Sequence, residues 1–134
     1  MAKRGAVPPA AASDQVSLLV ARSEAAEKLV DRIRLGGEIQ NRAMSAHSEL
    51  DVEAVVALRT KWDQYNRELL GRIFSPDTIQ KSYERVSLFG ALRINPTPRQ
   101  RVESIMSGLQ SKITNLESIV ERLELIPESG PAPL

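Results

Sequence analysis

The last third of the chain repeats apolar residues at a helical period. Val102, Ile105, Leu109, Ile113, Leu116, Ile119, Leu123 and Ile126 recur three or four residues apart, the spacing that lines one face of an α-helix. Thr97–Pro98 opens this segment with a capping residue and a proline suited to the first helical position, and Pro127 closes it. At 1.5 Å per residue the rod is roughly 40 Å long. Its stripe is close to a heptad repeat, broken once: Lys112 stands where strict a/d spacing calls for an apolar residue, and Ile113 substitutes. The C-terminal helix is therefore coiled-coil-like, and its partner must be found in the rest of the chain or on another copy.

A second long helix is expected from about Ser48 to Phe74. Val55, Leu58, Trp62, Tyr65 and Leu69 fall three and four residues apart, which puts them on one face. Asp63 with Arg67 and Glu68 with Arg72 lie acid-first at four-residue spacing and read as ion pairs on the opposite, solvated face. Trp62, Tyr65, Asn66, Leu69 and Phe74 are the expected structural anchors, Asn66 being the polar member beside the stripe with a buried hydrogen bond or a register-setting role to fill. Ser75–Pro76 ends this helix, with Ser75 placed to cap, and Pro76 to begin, a short helix running to about Val86.

Ser13 or Asp14 is a suitable cap for a first helix with Val16, Leu19, Val20, Ala26, Val30 and Ile33 on its apolar face. Gly36–Gly37 should kink it or start a new segment through Met44, since each glycine costs about 1 kcal/mol inside a helix. Ser45 to Ser48 read as a turn, with Ser48 capping the Trp62 helix. Between Val86 and Thr97, Gly90 and Asn95–Pro96 mark a loop whose Leu88, Phe89, Leu92 and Ile94 could plug one end of a bundle. The chain of 134 residues has room for one domain of this kind. The expected organisation is a disordered arm over residues 1–12, a helical bundle over 13–126 and a Pro-rich linker or tail over 127–134. The fold class is all-α: an antiparallel helical bundle with two long helices.

Composition excludes several chemistries. There is no cysteine, and His47 is the single histidine, so thiol catalysis, disulfides and histidine-pair metal sites are out. Gly36–Gly37 lacks the Lys-Ser/Thr that completes a phosphate loop, and acidic pairs such as Glu121 and Glu124 sit at ordinary surface-helix spacing. No catalytic, cofactor-binding or metal-ligating residues are assigned. A net charge of +1 gives no general pull toward nucleic acid; Arg85, Arg93, Arg99 and Arg101 lack interleaved aromatics apart from Tyr83 and Phe89. No apolar run reaches the roughly 20 residues that span a bilayer. The N-terminal residues lack the apolar core of a signal peptide, so a cytoplasmic protein is expected. Charge is uneven, with six basic and two acidic residues from Arg72 to Arg101, and five glutamates against Lys112 and Arg122 from Glu103 to Glu128.

The run Lys61-Trp62-Asp-Gln-Tyr65-Asn66-Arg-Glu68-Leu69-Leu70-Gly-Arg72-Ile-Phe74, followed by a short helix and a long one ending Arg122-Leu123-Glu124-Leu125-Ile126 before a Pro-rich segment, resembles the helical N-terminal region of bacterial TIR-like predicted nucleotide-binding proteins. The resemblance spans roughly Ser13 to Pro127. It implies a regulatory or assembly module that precedes a TIR-like effector domain in phage defence. The family's nucleotide-handling residues have no counterparts in this sequence.

These readings give a non-catalytic interaction and oligomerisation module as the expected function, with a homo-oligomer, an appended effector domain or a protein partner held by its helices. Self-association is expected through the end of the C-terminal helix, at Leu116, Ile119, Val120, Leu123 and Ile126. The alternative is a small-ligand sensor with a pocket near Trp62, Tyr65 and Phe74.

Overall fold

The computed structural model describes residues 15–88 and 94–129. The expected N-terminal arm, the Ser13/Asp14 cap, Phe89, Leu92, Arg93 and the last five residues of the tail lie outside them.

The elements are β1 (Ser17–Leu18), α1 (Arg22–Met44), α2 (Glu49–Ile73), β2 (Phe74–Ser75), α3 (Thr78–Arg85) and α4 (Pro98–Arg122), followed by a 3-10 turn over Leu123–Leu125. The fold is an all-α bundle with a minimal two-stranded sheet closing one end. Three helices are long. α1 runs antiparallel to both of the others: Gly36 faces Trp62 of α2 and Ile113 of α4, while Gln40 bonds Gln110, and Arg22 bonds Leu123 just beyond α4. α2 and α4, expected to pair antiparallel, run parallel, since Glu49 meets Arg101 near their starts and Asp63 meets Lys112 midway. The reason lies in α3, which doubles back along α2, Gln80 donating to the Arg67 carbonyl at 2.7 Å and Asn66 to the Tyr83 hydroxyl at 3.0 Å. The chain thus returns to the starting end of α2 before α4 begins.

Local signals explain the helix starts that match expectation. Ser48 accepts from the Asp51 amide at 3.1 Å. Thr97 and Gln100 form a capping box, with bonds of 3.1 and 3.0 Å in the two directions, so two otherwise orphaned amides are satisfied reciprocally.

Elsewhere the boundaries differ. The first helix begins at Arg22, because residues 17–18 are taken into the sheet: Ser17 pairs with Ser75 and Leu18 with Phe74. For the same reason Ser75 does not cap α3. It stays extended, the Ser75–Pro76 peptide is cis, and the helix starts at Thr78 behind Asp77. Gly36–Gly37 neither divides α1 nor starts a new segment; the helix is continuous to Met44, and Gly36 is there for packing. Of the residues expected to plug the bundle end, Leu88 is half-buried and Ile94 is exposed. Leu88 instead lies against α4, where a Cβ on Gly108 would overlap its carbonyl group.

The core runs the length of the three long helices and includes Leu29, Ile39, Val52, Trp62, Leu70, Ile105, Leu109 and Leu116. Four of the five residues expected to form a self-association surface, Leu116, Ile119, Leu123 and Ile126, are buried in the protomer's own core, and Val120 packs against it. The N-terminal segment is bonded to the chain at and beyond the last of them. The Leu18 amide donates to the Pro127 carbonyl at 2.7 Å and the Ser129 amide to the Leu18 carbonyl at 2.8 Å, while Arg22 donates to the carbonyls of Leu123 at 2.9 Å and Ile126 at 2.6 Å. Pro127 to Ser129, expected as the start of a linker, is therefore tied down.

Candidate functional site

On α2 the buried line is Val52, Val55, Arg59, Trp62, Asn66, Leu70 and Ile73, still at three- and four-residue spacing. Beyond Val55 and Trp62 it is displaced by one position from the apolar pattern. Leu58 and Leu69 are half-buried at its edge, and Tyr65 is 55% exposed. Asn66, by contrast, is fully enclosed. Periodicity of apolar residues misses this because two core positions are polar, and burying a polar side chain is tolerable only when its hydrogen bonds are made.

Those of Asn66 are made by a network that joins all four helices. Arg32 of α1 donates from Nε to Asn66 Oδ1 at 2.7 Å, and Asn66 Nδ2 donates to the Tyr83 hydroxyl at 3.0 Å. Tyr83 in turn donates to Asp63 Oδ1 at 2.8 Å. From α4, Lys112 reaches the Tyr83 carbonyl at 2.7 Å and Asp63 at 3.4 Å, its ammonium 4.0 Å from the centre of the Tyr83 ring. Asp63 is thus turned inward toward Tyr83 and Lys112, with Arg67 3.7 Å away, rather than lying on the solvated face expected from its spacing. The break in the α4 heptad has the same origin: Lys112 and Ile113 both point into the bundle, and the lysine is there to meet Asp63.

Electrostatics follow from burial. Loss of water pushes the Lys112 ammonium below the ordinary lysine value, opposed by the adjacent Asp63. Burial pushes the Tyr83 phenol well above the ordinary tyrosine range, against the donated bond from Asn66. The phenol and the ammonium spend their bonds on one another's neighbours, an arrangement that fixes how four helices meet. Among the described residues no group of three or more Asp, Glu, His or Cys is placed to hold a metal ion.

The second feature is the outer side of the α1–α2 pair, opposite α4. Two adjoining hollows form one groove there. The hollow nearer the Trp62 end has a volume of about 370 Å³ and is lined by Arg32, Leu35, Ile39, Leu58, Trp62 and Tyr65, among others. The second, lined by Ala46, Asp51, Ala54 and Val55, shares Arg42, Leu58 and Lys61 with the first. Trp62 forms the base, its indole nitrogen donating to the Arg32 carbonyl at 2.8 Å. Tyr65 stands at the rim with the Arg32 guanidinium 4.3 Å from its ring centre. Phe74 does not belong to this groove; it is buried in the small sheet against Leu18 at the other end of α2. The expected pocket thus brings together Trp62 and Tyr65 without Phe74.

Of the basic residues considered for nucleic acid, Arg101 contacts Glu49 and Glu53 of α2, at 3.2 and 3.6 Å, and Arg99 pairs with Glu103. No described helix is long and apolar enough to cross a membrane. No family model, characterised relative or solved structure matches this chain.

Proposed function

We propose that this protein is a non-catalytic helical interaction module whose working surface is the outer α1–α2 groove. The observation that carries this reading is Tyr65: a large aromatic, more than half exposed, seated at the edge of an apolar hollow floored by Trp62 and Leu58. Exposed aromatics over preformed apolar depressions are the residues that anchor protein interfaces. The interlocked polar core supports the same reading, because it gives the surface a rigid backing. The groove replaces the end of α4 as the contact surface for assembly. The resemblance to the helical region of TIR-like proteins adds the expectation that the assembly serves an effector domain in a cytoplasmic defence system.

A photo-reactive amino acid at Leu58, in the full chain expressed in its organism of origin, tests the proposal. Discrete protein adducts at Leu58, absent when the same group is placed at the exposed Glu27 of α1, outside the groove, are expected; adducts at neither position, or the same adducts at both, overturn it.

A second reading, a small-ligand sensor, is favoured by the same hollow, since Trp62 lies at its base. A saturable change in Trp62 fluorescence with a metabolite, abolished by Tyr65→Ala, would identify it.

A further inference from the structure

We infer that the occupant of the α1–α2 groove is an amphipathic helix of another protein, with acidic residues flanking its apolar stripe. This rests on the interaction reading above and adds the chemistry of the partner.

The argument begins with shape. α1 and α2 are neighbouring antiparallel helices, and α4 fills the groove on one side of the pair. The other side is the place a further helix would take in a four-helix bundle. From Asp51 to Tyr65 the free groove covers fourteen steps along α2, about 21 Å at 1.5 Å per residue, or roughly four turns of a docked helix. Its floor of Leu35, Ile39, Leu58 and Trp62 suits side chains spaced three and four residues apart.

Charge gives the partner its sign. Lys61 on the α2 wall and Arg42 on the α1 wall are exposed, face each other across Leu58, and form no ion pair among the described residues. Arg32 adds a third cation at the Tyr65 end. Of the two carboxylates of the groove, Glu38 is paired with Arg34, while Asp51 accepts the His47 amide at 3.2 Å and keeps its charge, so three cations stand against one unpaired carboxylate. An incoming helix therefore meets a net excess of positive charge, with cations on both sides of an apolar floor. Glutamate or aspartate beside its stripe answers both walls.

Other occupants fit less well. The acidic row on α4, Glu117, Glu121 and Glu124, is exposed, but the apolar residues beside it, Leu116, Ile119 and Leu123, are enclosed in the protomer. A second copy would offer charge without a stripe. The chain's own N-terminal residues carry Lys3 and Arg4, the wrong sign. A nucleic acid would use the cations and leave the floor empty.

The test uses the full chain and two labelled helical peptides roughly four turns long. One has leucines at three- and four-residue spacing flanked by glutamates; the other has every glutamate replaced by lysine. A single-stranded DNA oligonucleotide competes. Fluorescence anisotropy should show the glutamate peptide binding at least tenfold more tightly than the lysine peptide, with severalfold weakening as salt rises. The double variant Arg42→Glu, Lys61→Glu should invert that preference, circular dichroism confirming that its helices remain. Equal affinity for the two peptides, no binding of either, an unchanged preference in the double variant, or displacement of the glutamate peptide by the oligonucleotide overturns the inference. If adducts form at Leu58 in cells but the glutamate peptide does not bind, the interaction reading stands and the acidic-helix chemistry falls.

Discussion

A Cβ placed on Gly36 would stand 2.7 Å from Cζ2 of Trp62 and 3.0 Å from the Ile113 side chain. The glycine in the middle of α1 is therefore the socket for the tryptophan of α2. Gly37, one position on, faces open space. The two glycines should respond oppositely to alanine. Gly37→Ala should stabilise by about 0.5–1 kcal/mol, the ordinary gain from helix propensity and a less flexible unfolded chain. Gly36→Ala collects the same propensity but must displace a buried ring, and should lose about 1–3 kcal/mol overall. Urea melts of the two variants check this, and equal responses would show that Gly36 is not a packing site.

Trp62 and Tyr65 were adjacent members of one apparent stripe, and the structure separates them. Trp62→Ala should cost about 3–5 kcal/mol as a cavity opens between three helices. Tyr65→Ala should cost less than about 1 kcal/mol, the scale of an exposed cation–π contact. Similar losses at both positions would return Tyr65 to the core.

The separation shows what the sequence could and could not disclose. Helix existence was legible throughout, because caps at Ser48 and Thr97 and the α4 stripe are local signals. The rotation of α2 was not. Asn66 and Lys112 read as surface residues by type, and only contacts with Arg32, Tyr83 and Asp63 from other helices make their burial tolerable. Asn66 was still singled out by its place beside the stripe. Val16, Leu19 and Val20 read as a helical face because the pairing of Leu18 with Phe74 and the bonds of Leu18 to Pro127 and of Leu19 to Ile73 are long-range events with no local signature. The groove was half legible, through Trp62 and Tyr65. Arg42 and Lys61 acquire meaning only once α1 and α2 lie side by side.

The buried pair Tyr83 and Lys112 should give stability a characteristic dependence on alkaline pH. For Lys112, whose folded pKa lies below the unfolded 10.5, the unfolded chain binds more protons over the interval below pH 10.5. Stability rises with pH there. For Tyr83, whose folded pKa lies above the unfolded 10.0, the contribution is full below pH 10 and is lost progressively above it. Each slope is at most about 1.4 kcal/mol per pH unit. Relative to wild type, Lys112→Met should flatten the rise and Tyr83→Phe should flatten the fall. Denaturation midpoints measured from pH 7 to 11 test both, and identical profiles for all three proteins would mean that neither group titrates differently on folding.

Leu123 is the last leucine of the α4 stripe to be buried. Its side chain is 3% exposed, while Leu125, two residues on, is 77% exposed. The backbone around them is held by Arg22, which donates to the Leu123 and Ile126 carbonyls, and by the Leu18 amide, which donates to the Pro127 carbonyl. Leu123→Asp puts a carboxylate among apolar side chains with no partner, and should cost more than about 3 kcal/mol or neutralise the acid. Leu125→Asp should change stability by less than about 0.5 kcal/mol. The distinction from an interface is made by measuring mass and stability together. If Leu123 served self-association, its aspartate variant would remain folded, with a wild-type midpoint, and light scattering would report a smaller particle. The expected result is the reverse: a large fall in the urea midpoint, and no change in mass under conditions where the variant is still folded. A stable, dissociated Leu123→Asp protein would mean that the end of α4 opens in solution to meet another copy.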